Sequence, residues 1–263
     1  EICLNEPARG LVIQEGRLRG LQLRAGVLET RSAILAAGGA SYPGTGSTGD
    51  AYPWLEAAGH TLHPIRPALV PLETAEDWSR QLAGLSLRKV HVALLVNGAR
   101  RRQMFGEMLF THFGVSGPII LSMSTMAVDA LSEGKVQFSI DLKPALDDEQ
   151  LDARLRRELD QRGKQIMRTI AAELLPRRLI EPVLALAGVP PDKPGSQITA
   201  GERKRLAGQL RDLRVTVTAP RPFREAMVTA GGVALNEIDP RTMESRRVRG
   251  LYVVGELLDL HAD

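Results

Sequence analysis

The stretch Ala33 to Ser41, AILAAGGAS, constrains this chain more than any other. From Ser32 to Ala37 it becomes continuously apolar, as a strand buried on both faces does in a parallel sheet. It then runs straight into Gly38 and Gly39, which let a backbone lie close against something else. Ligands of open α/β sheets bind at such carboxyl edges. The stretch therefore predicts an α/β element with a binding edge.

What surrounds it fits that reading. Residues 9–31 alternate apolar and polar, with turns near Glu15-Gly16 and Ala25-Gly26, which predicts a small antiparallel meander. Downstream, GGASYPGTGSTGDAY holds a G-x-G-x-x-G spacing at Gly44, Gly46 and Gly49. A dinucleotide fingerprint puts its first glycine at the strand end and its third inside the next helix. Here six residues separate the strand end from Gly44, Pro43 among them, and the following helix is short. Glu73 lies where a ribose-binding acid would stand, yet the spacing reads as a decoy. The segment GSTGD offers backbone N–H groups and a Thr or Asp cap at a helix start near Asp50.

From Arg66 the pattern changes. RPALVPLE, KVHVALLVNG, EMLFTHFGVSG and KVQFSIDLKP read as short strands between polar turns, an all-β pattern suited to a barrel or sandwich. A helix beginning at Pro118 interrupts them. Residues 147–211 carry helical spacing such as Leu151, Leu155 and Leu159, cut into short helices by Pro176, Pro182, Pro190, Pro191 and Pro194. Strands then return in DLRVTVTAP, AMVTAGGVAL and GLYVVGEL. A helical segment is thus inserted into a β domain, itself inserted between two α/β-like flanks.

Composition excludes several classes. A single cysteine, Cys3, rules out an internal disulfide framework and fits a reducing compartment. No run reaches the roughly 18 apolar residues of a membrane helix, so the expectation is a cytoplasmic protein without membrane association. The net charge is only +3, and arginine runs such as 100–102 read as solvated faces, so a nucleic-acid partner is not expected. His60 and His63 lack the acids or cysteines of a metal site, and no metal is expected.

Four stretches together carry a resemblance over essentially the whole chain: LAAGGASYPGTGSTGDAY with IRPALVPLE, GEMLFTHFGVSGPIILSMS, MVTAGGVALNEIDPRTMES, and GLYVVGELLDL. The sequence resembles the bacterial NAD(P)/FAD-dependent oxidoreductases of the BaiN type. The resemblance implies an α/β fold with an α+β insert: a split, incomplete Rossmann-type FAD-binding domain at 1–64 and 232–263, a β-barrel at 65–146 and 212–231, and a helical insert at 147–211. It implies FAD as cofactor, NAD(P)H as reductant and a small organic acceptor.

By the same resemblance, Ala37, Gly38 and Gly39 approach the adenosine half of FAD. Gly255, Glu256 and Asp259 lie along its pyrophosphate and ribityl chain. Ser41, Tyr42, Thr48, Gly49 and Asp50 sit nearer the isoalloxazine or substrate, and Thr229, Gly231 and Gly232 return the chain to the flavin. The family's N-terminal G-x-G-x-x-G is absent, and the chain stops soon after GELLD, so truncation at both ends and no activity of this piece alone are expected.

No nucleophilic triad is legible, as expected where a cofactor carries the chemistry. His112, in FTHFGVSGP, is the candidate polar group facing flavin or substrate, against a structural role between apolar neighbours. Met243 and Glu244 read either as hinge packing or as substrate contacts. The competing function is a non-catalytic basic barrel that binds RNA or a protein partner. Such a module has no use for AAGGAS and VVGELLD.

Overall fold

The computed structural model describes residues 2–260; Glu1 and residues 261–263 of the expected flanks lie outside them. The chain divides into two compact units, one holding the residues up to Val70 and those from Arg221 onward, the other Pro71–Pro220.

The first unit opens with the meander β1 (Gly10–Gln14), β2 (Arg17–Leu23) and β3 (Gly26–Glu29). Glu15 and Gly16 both take positive φ, 52° and 68°, the two-residue turn whose twist matches the flanking strands. Next, β4 (Ala33–Leu35) pairs in parallel with β13 (Leu251–Val253) from the far end of the chain. Parallel neighbours need a long crossover, and here the whole inserted unit lies between them in sequence. One expectation fails at β4. Ile34 is 70% exposed while Leu35 is 9% exposed, so the strand is buried on one face. Its continuous apolar run reflects a parallel neighbour without a second covering layer among the described residues.

Helix α1 (Ala51–Ala57) places Tyr52 and Leu55 in the core with Leu18, Leu35, Val233, Leu251, Val253 and Leu257. The last pair, β5 (Leu62–Ala68) and β12 (Val228–Val233), runs antiparallel from Val228 opposite Ala68 to Val233 opposite Leu62. These strands pair with each other in a sheet of their own. Residues 65–70 and 221–231, assigned to the barrel from sequence, therefore fall in this unit.

The second unit is a closed six-stranded barrel with helices. Its strands are β6 (Leu72–Thr74), β7 (Ser86–Val96), β8 (Ala99–Phe110), β9 (Gly114–Ser116), β10 (Val136–Asp141) and β11 (Leu213–Pro220). They follow the order β10-β11-β6-β9-β8-β7, and β7 closes back on β10. Closure removes the unpaired edges that short strands would otherwise expose. Alternation sets the interior: Val136, Phe138 and Ile140 point in, while Gln137, Ser139 and Asp141 are only partly buried. Asn97 and Gly98, with φ of 51° and 83°, make the tight turn between β7 and β8.

Helices α2 (Asp77–Gln81) and α3 (Pro118–Ala130) belong to the barrel segment. Then α4 (Asp148–Gln161), α5 (Met167–Ala171), α6 (Arg177–Ala187) and α7 (Ala200–Arg211) form the helical insert. The two longest of these four start on reciprocal capping boxes, Asp147 with Gln150 and Thr199 with Glu202. Among the described residues no helix is long and apolar enough to cross a membrane.

Candidate functional site

Three segments of the first unit meet where β4 and β13 end. Beyond β4 the pairing continues for one step, Val254 donating its N–H to the Leu35 carbonyl at 3.1 Å. The chain then turns through Ala37, Gly38 and Gly39. The Gly39 N–H donates to Glu256 Oε2 at 3.2 Å, tying the turn after β4 to the turn after β13. A Cβ on Gly39 would collide with Thr229 Oγ1 and stand 2.7 Å from Glu256 Oε2, so only glycine fits.

Thr229 is the pin of this seam. It is 1% exposed. Its Oγ1 accepts the N–H groups of Ala40 at 2.8 Å and Ser41 at 3.1 Å and lies 3.0 Å from Ser41 Oγ. With both lone pairs engaged, its own proton points to Ser41. Just beyond, Gly232 has φ 120°, and a Cβ there would stand 2.5 Å from the Leu257 carbonyl oxygen. The neighbouring Val233 carbonyl accepts the Asp259 N–H at 2.9 Å. The Gly49 N–H bonds the Gly39 carbonyl at 3.0 Å, and the Tyr52 hydroxyl donates to the Glu256 carbonyl at 2.8 Å. Burial, then the Glu256 charge, pushes the Tyr52 phenol up to about 12.

A family model described as HI0933-like protein barrel and H2TH domain matches residues 66–228, more than half of the chain. The chain belongs to the HI0933-like family. It is 31% identical over 228 residues to the 3-dehydro-bile acid delta(4,6)-reductase of Clostridium scindens, covering 86% of this chain and 56% of that one. The ribosomal RNA dihydrouridine synthase of Escherichia coli is 34% identical over 230 residues, 86% of this chain and 54% of its own. The enzyme of that name from Haemophilus influenzae is 31% identical over 242 residues, 91% and 57%. The chain thus spans about half the length of the curated relatives it matches.

Within this HI0933-like chain the sequence-predicted residues fall into two groups. Gly39, Ser41, Thr229, Gly231 and Gly232 are buried; Ser41 and Thr229 bond each other, and Gly39 bonds Glu256 and Gly49. A Cβ on Gly231 would collide with the Pro64 carbonyl oxygen. The other group is open. Gly255 has φ 74° and nothing within 4 Å of where a Cβ would stand. Ala37, Gly38, Glu256 and Asp259 are half-buried. Tyr42, with φ 51°, Thr48 and Asp50 are exposed, and Gly49 is half-buried.

This open group suits a dinucleotide in one respect and sets a condition in another. The strand edge carries no bulky side chain, and Glu256 and Asp259 are acceptors of the kind that bind ribose or ribityl hydroxyls. None of the fourteen candidate residues is basic, so from these residues a pyrophosphate would be met by backbone N–H groups. The residues present fit FAD on those terms.

The loop candidates behave as a loop. Pro43–Thr45 is a single 3-10 turn, and Gly44 and Gly46 are exposed. Asp50 precedes α1 without bonding its backbone, so the expected side-chain cap is absent: at φ −65° and ψ −20° Asp50 is itself helical, not extended as a capping residue is. His112 belongs to the barrel unit, where it is exposed and stands edge-on to Phe113 at 4.9 Å.

A second polar cluster in the first unit escaped sequence reasoning. Buried His60 places Nδ1 3.0 Å from Glu237 Oε2 and Nε2 2.8 Å from Ser245 Oγ. Glu237 also accepts the Thr61 N–H and Oγ1, both at 2.9 Å, and Arg247 Nη2 at 2.7 Å. Burial works to raise the Glu237 carboxyl, but the bonds from Arg247, Thr61 and His60 outweigh it and hold it at about 2. Burial lowers the His60 imidazole.

The trio has the residue types of a hydrolytic triad without its accessibility. Ser245 Oγ already accepts the N–H groups of Arg247 at 3.1 Å and Val248 at 2.9 Å, which directs its proton onto His60. The partners stand 177 and 185 positions from His60, and no local spacing announces them. Nearby, Met243 packs against the core and Glu244 accepts the Gly250 N–H at 2.8 Å. These contacts suit the packing reading of that segment.

Proposed function

We propose that the protein carrying this chain is a flavin-dependent oxidoreductase that reduces a ring carbon–carbon double bond conjugated to a carbonyl. The single observation that supports this best is the glycine-lined strand edge, where Gly255 stays open while Gly39 and Thr229 lock the two turns together. The names of the relatives point the same way. A delta(4,6)-reductase of a 3-dehydro bile acid and a dihydrouridine synthase share one reaction in chemical terms, hydride addition to an electron-poor ring alkene.

In this reading FAD lies along the β4–β13 edge. Ala37 and Gly38 form the wall beneath its adenosine half, and backbone N–H groups near Gly255 face the pyrophosphate. Glu256 and Asp259 accept from sugar or ribityl hydroxyls. Thr229, Ser41, Gly231 and Gly232 do not touch the cofactor; they hold the edge rigid. Tyr42, Thr48 and Asp50 stand on the exposed loop where a substrate or the flavin ring would be met. When bound, the flavin supplies two-electron transfer from NAD(P)H to the acceptor. A Tyr52 phenol pushed up to about 12 stays protonated at neutral pH and keeps its bond to the Glu256 carbonyl.

The test is the visible absorption spectrum of the purified protein, followed by NADH and NADPH addition. The expected result is one FAD per chain, bleached by a nicotinamide. Gly255→Val, which forces a branched side chain to φ 74° at the open edge, is expected to lose most of the bound FAD while the fold survives by circular dichroism. A colourless protein that takes up no added FAD sinks the reading.

A further inference from the structure

Three depressions on the barrel-and-helix unit differ in how their charges are matched. The first, about 730 Å³, lies between α4 and α7. Its arginines have partners: Arg203 and Arg156 bind Asp152 at 2.7 and 2.8 Å, and Arg211 binds Asp148 at 3.0 Å, and its one lysine, Lys204, shares the lining with Asp148, Asp152 and Asp212. In the second, about 470 Å³, Arg214 pairs with Asp212 at 2.7 Å and Arg211 with Asp141 at 2.9 Å. In both, carboxylates stand among the cations of the lining.

The third, about 570 Å³, is different. Lys89, His91, Phe105, Lys143, Pro144 and Arg154 contribute to its lining, which holds no carboxylate. Among the described residues Lys89 and Lys143 make no ion pair. Arg154 Nε is buried without a hydrogen-bond partner. Its nearest acid, Glu158, is 4.0 Å away and is shared with Arg162 at 3.3 Å. Asp141, next in sequence to Leu142 of the lining, is taken by Arg211 and by the Lys143 N–H. Burial and the neighbouring Arg154 together lower the Lys143 ammonium, the mark of cations crowded without a counter-charge.

The same depression carries an aromatic. Phe105 on β8 is 59% exposed, although nothing in the barrel core requires an aromatic on the outer face. It stands opposite His91 in the strand register and meets it edge-to-face at 5.2 Å. Unmatched cations beside an exposed aromatic face are what an unpaired nucleotide needs, the phosphate meeting the cations and the base stacking on the ring.

We propose that this depression binds an unpaired nucleotide of an RNA strand, through Lys143 and Arg154 on phosphate and Phe105 on the base. RNA then becomes the substrate class of the reductase reading above, on which that last step rests.

The test is binding of a fluorescein-labelled single-stranded oligouridine to the chain without flavin, by anisotropy across a salt series. Phe105→Ala is expected to weaken binding about 10-fold, within the range for one stacked base, and Phe105→Tyr to restore it. The Lys143→Gln/Arg154→Gln double variant is expected to weaken binding and lower the log–log salt slope by about 0.7 for each phosphate it no longer neutralises. Arg214→Gln, whose guanidinium is already paired, should change affinity less than about 2-fold, as for an exposed paired charge.

Several outcomes overturn the proposal: no binding by the unaltered chain, equal binding by Phe105→Ala, or an equal loss from Arg214→Gln. Uridine monophosphate binding as tightly as the strand assigns the site to a free nucleotide instead, and equal binding of duplex RNA removes the stacked base. Because no flavin is used, the two readings fail separately. RNA binding with no flavin spectrum leaves an RNA-binding module. A flavin spectrum with no RNA binding leaves a reductase of small molecules.

Discussion

At the β4–β13 edge, Thr229 Oγ1 takes two backbone N–H groups and turns its proton to Ser41, and Gly39 gives its N–H to Glu256. In the depression beside Phe105, Lys89 and Lys143 make no ion pair among the described residues and Arg154 Nε has no hydrogen-bond partner. Both regions hold polar groups, yet one satisfies them internally and the other, set in a largely apolar lining, leaves them waiting. Self-satisfied polar atoms act through stability, because removing one partner strands the rest in a dry interior. Unmatched cations destabilise the fold until a ligand neutralises them. The two kinds of region should therefore answer substitution in opposite ways.

The strongest break falls on the His60 cluster, which is satisfied internally in the same way as the strand edge. Glu237→Ala removes the acceptor of Arg247, Thr61 and His60 at once. We expect a loss of about 3 kcal/mol or more, as for a broken buried ion pair, read from chemical denaturation. A loss below about 1 kcal/mol, the size of an exposed pair, would contradict the buried-network account. Acid adds a second signature. The folded Glu237 titrates at about 2, against an ordinary 4.5. Its contribution is present in full above pH 4.5 and fades as pH falls toward 2. His60 is also lowered in the fold. Below pH 6.5 the unfolded chain takes up that proton first, so stability declines with acidification from there. His60→Asn should flatten this upper part of the curve and leave the lower part in place.

A middle-sized effect is expected at Thr229. Thr229→Val keeps the shape but orphans the N–H groups of Ala40 and Ser41 in a buried place, at about 1–3 kcal/mol for each unsatisfied group before relaxation. Thr229→Ser keeps the hydroxyl and should cost about 1 kcal/mol or less, the loss of one buried methyl. Equal costs for the two variants, measured by thermal denaturation, would mean that packing and not the hydroxyl secures the edge.

How much of this was legible follows from how far apart the partners stand. The β4 edge was readable because AILAAGG carries its own signal, an apolar run that ends in glycine. The helical insert was readable because Leu151, Leu155 and Leu159 repeat at helical spacing and prolines mark the breaks. The barrel's closure was not, since the β7–β10 register rests on pairs such as Val92 with Ile140, which no local pattern specifies. Thr229 was singled out only through family resemblance, and its hydroxyl reaches Ser41 across 188 positions. Phe105 and Lys143 carried no signal at all. An aromatic on an outer strand face and a lysine after a strand are ordinary in sequence and become informative only when they line one depression.

The smallest effect has the opposite sign and separates the two regions most cleanly. Lys143 sits beside Arg154, and burial and that like charge lower its ammonium from the ordinary value. A base lowered in the fold holds its proton less well than in the unfolded chain, so the charged form costs stability at neutral pH and the cost lifts only as pH rises toward 10.5. Lys143→Gln should therefore raise the melting temperature slightly, by no more than about 0.5 kcal/mol of stability for a position at the rim. It should also remove the rise in stability at alkaline pH. If Lys143→Gln lowers the melting temperature, the lysine is satisfied by the fold after all, and the depression loses its claim to a ligand. If the temperature rises while RNA affinity falls, the group is held for binding at the expense of stability. No residue of the strand-edge seam should show that combination.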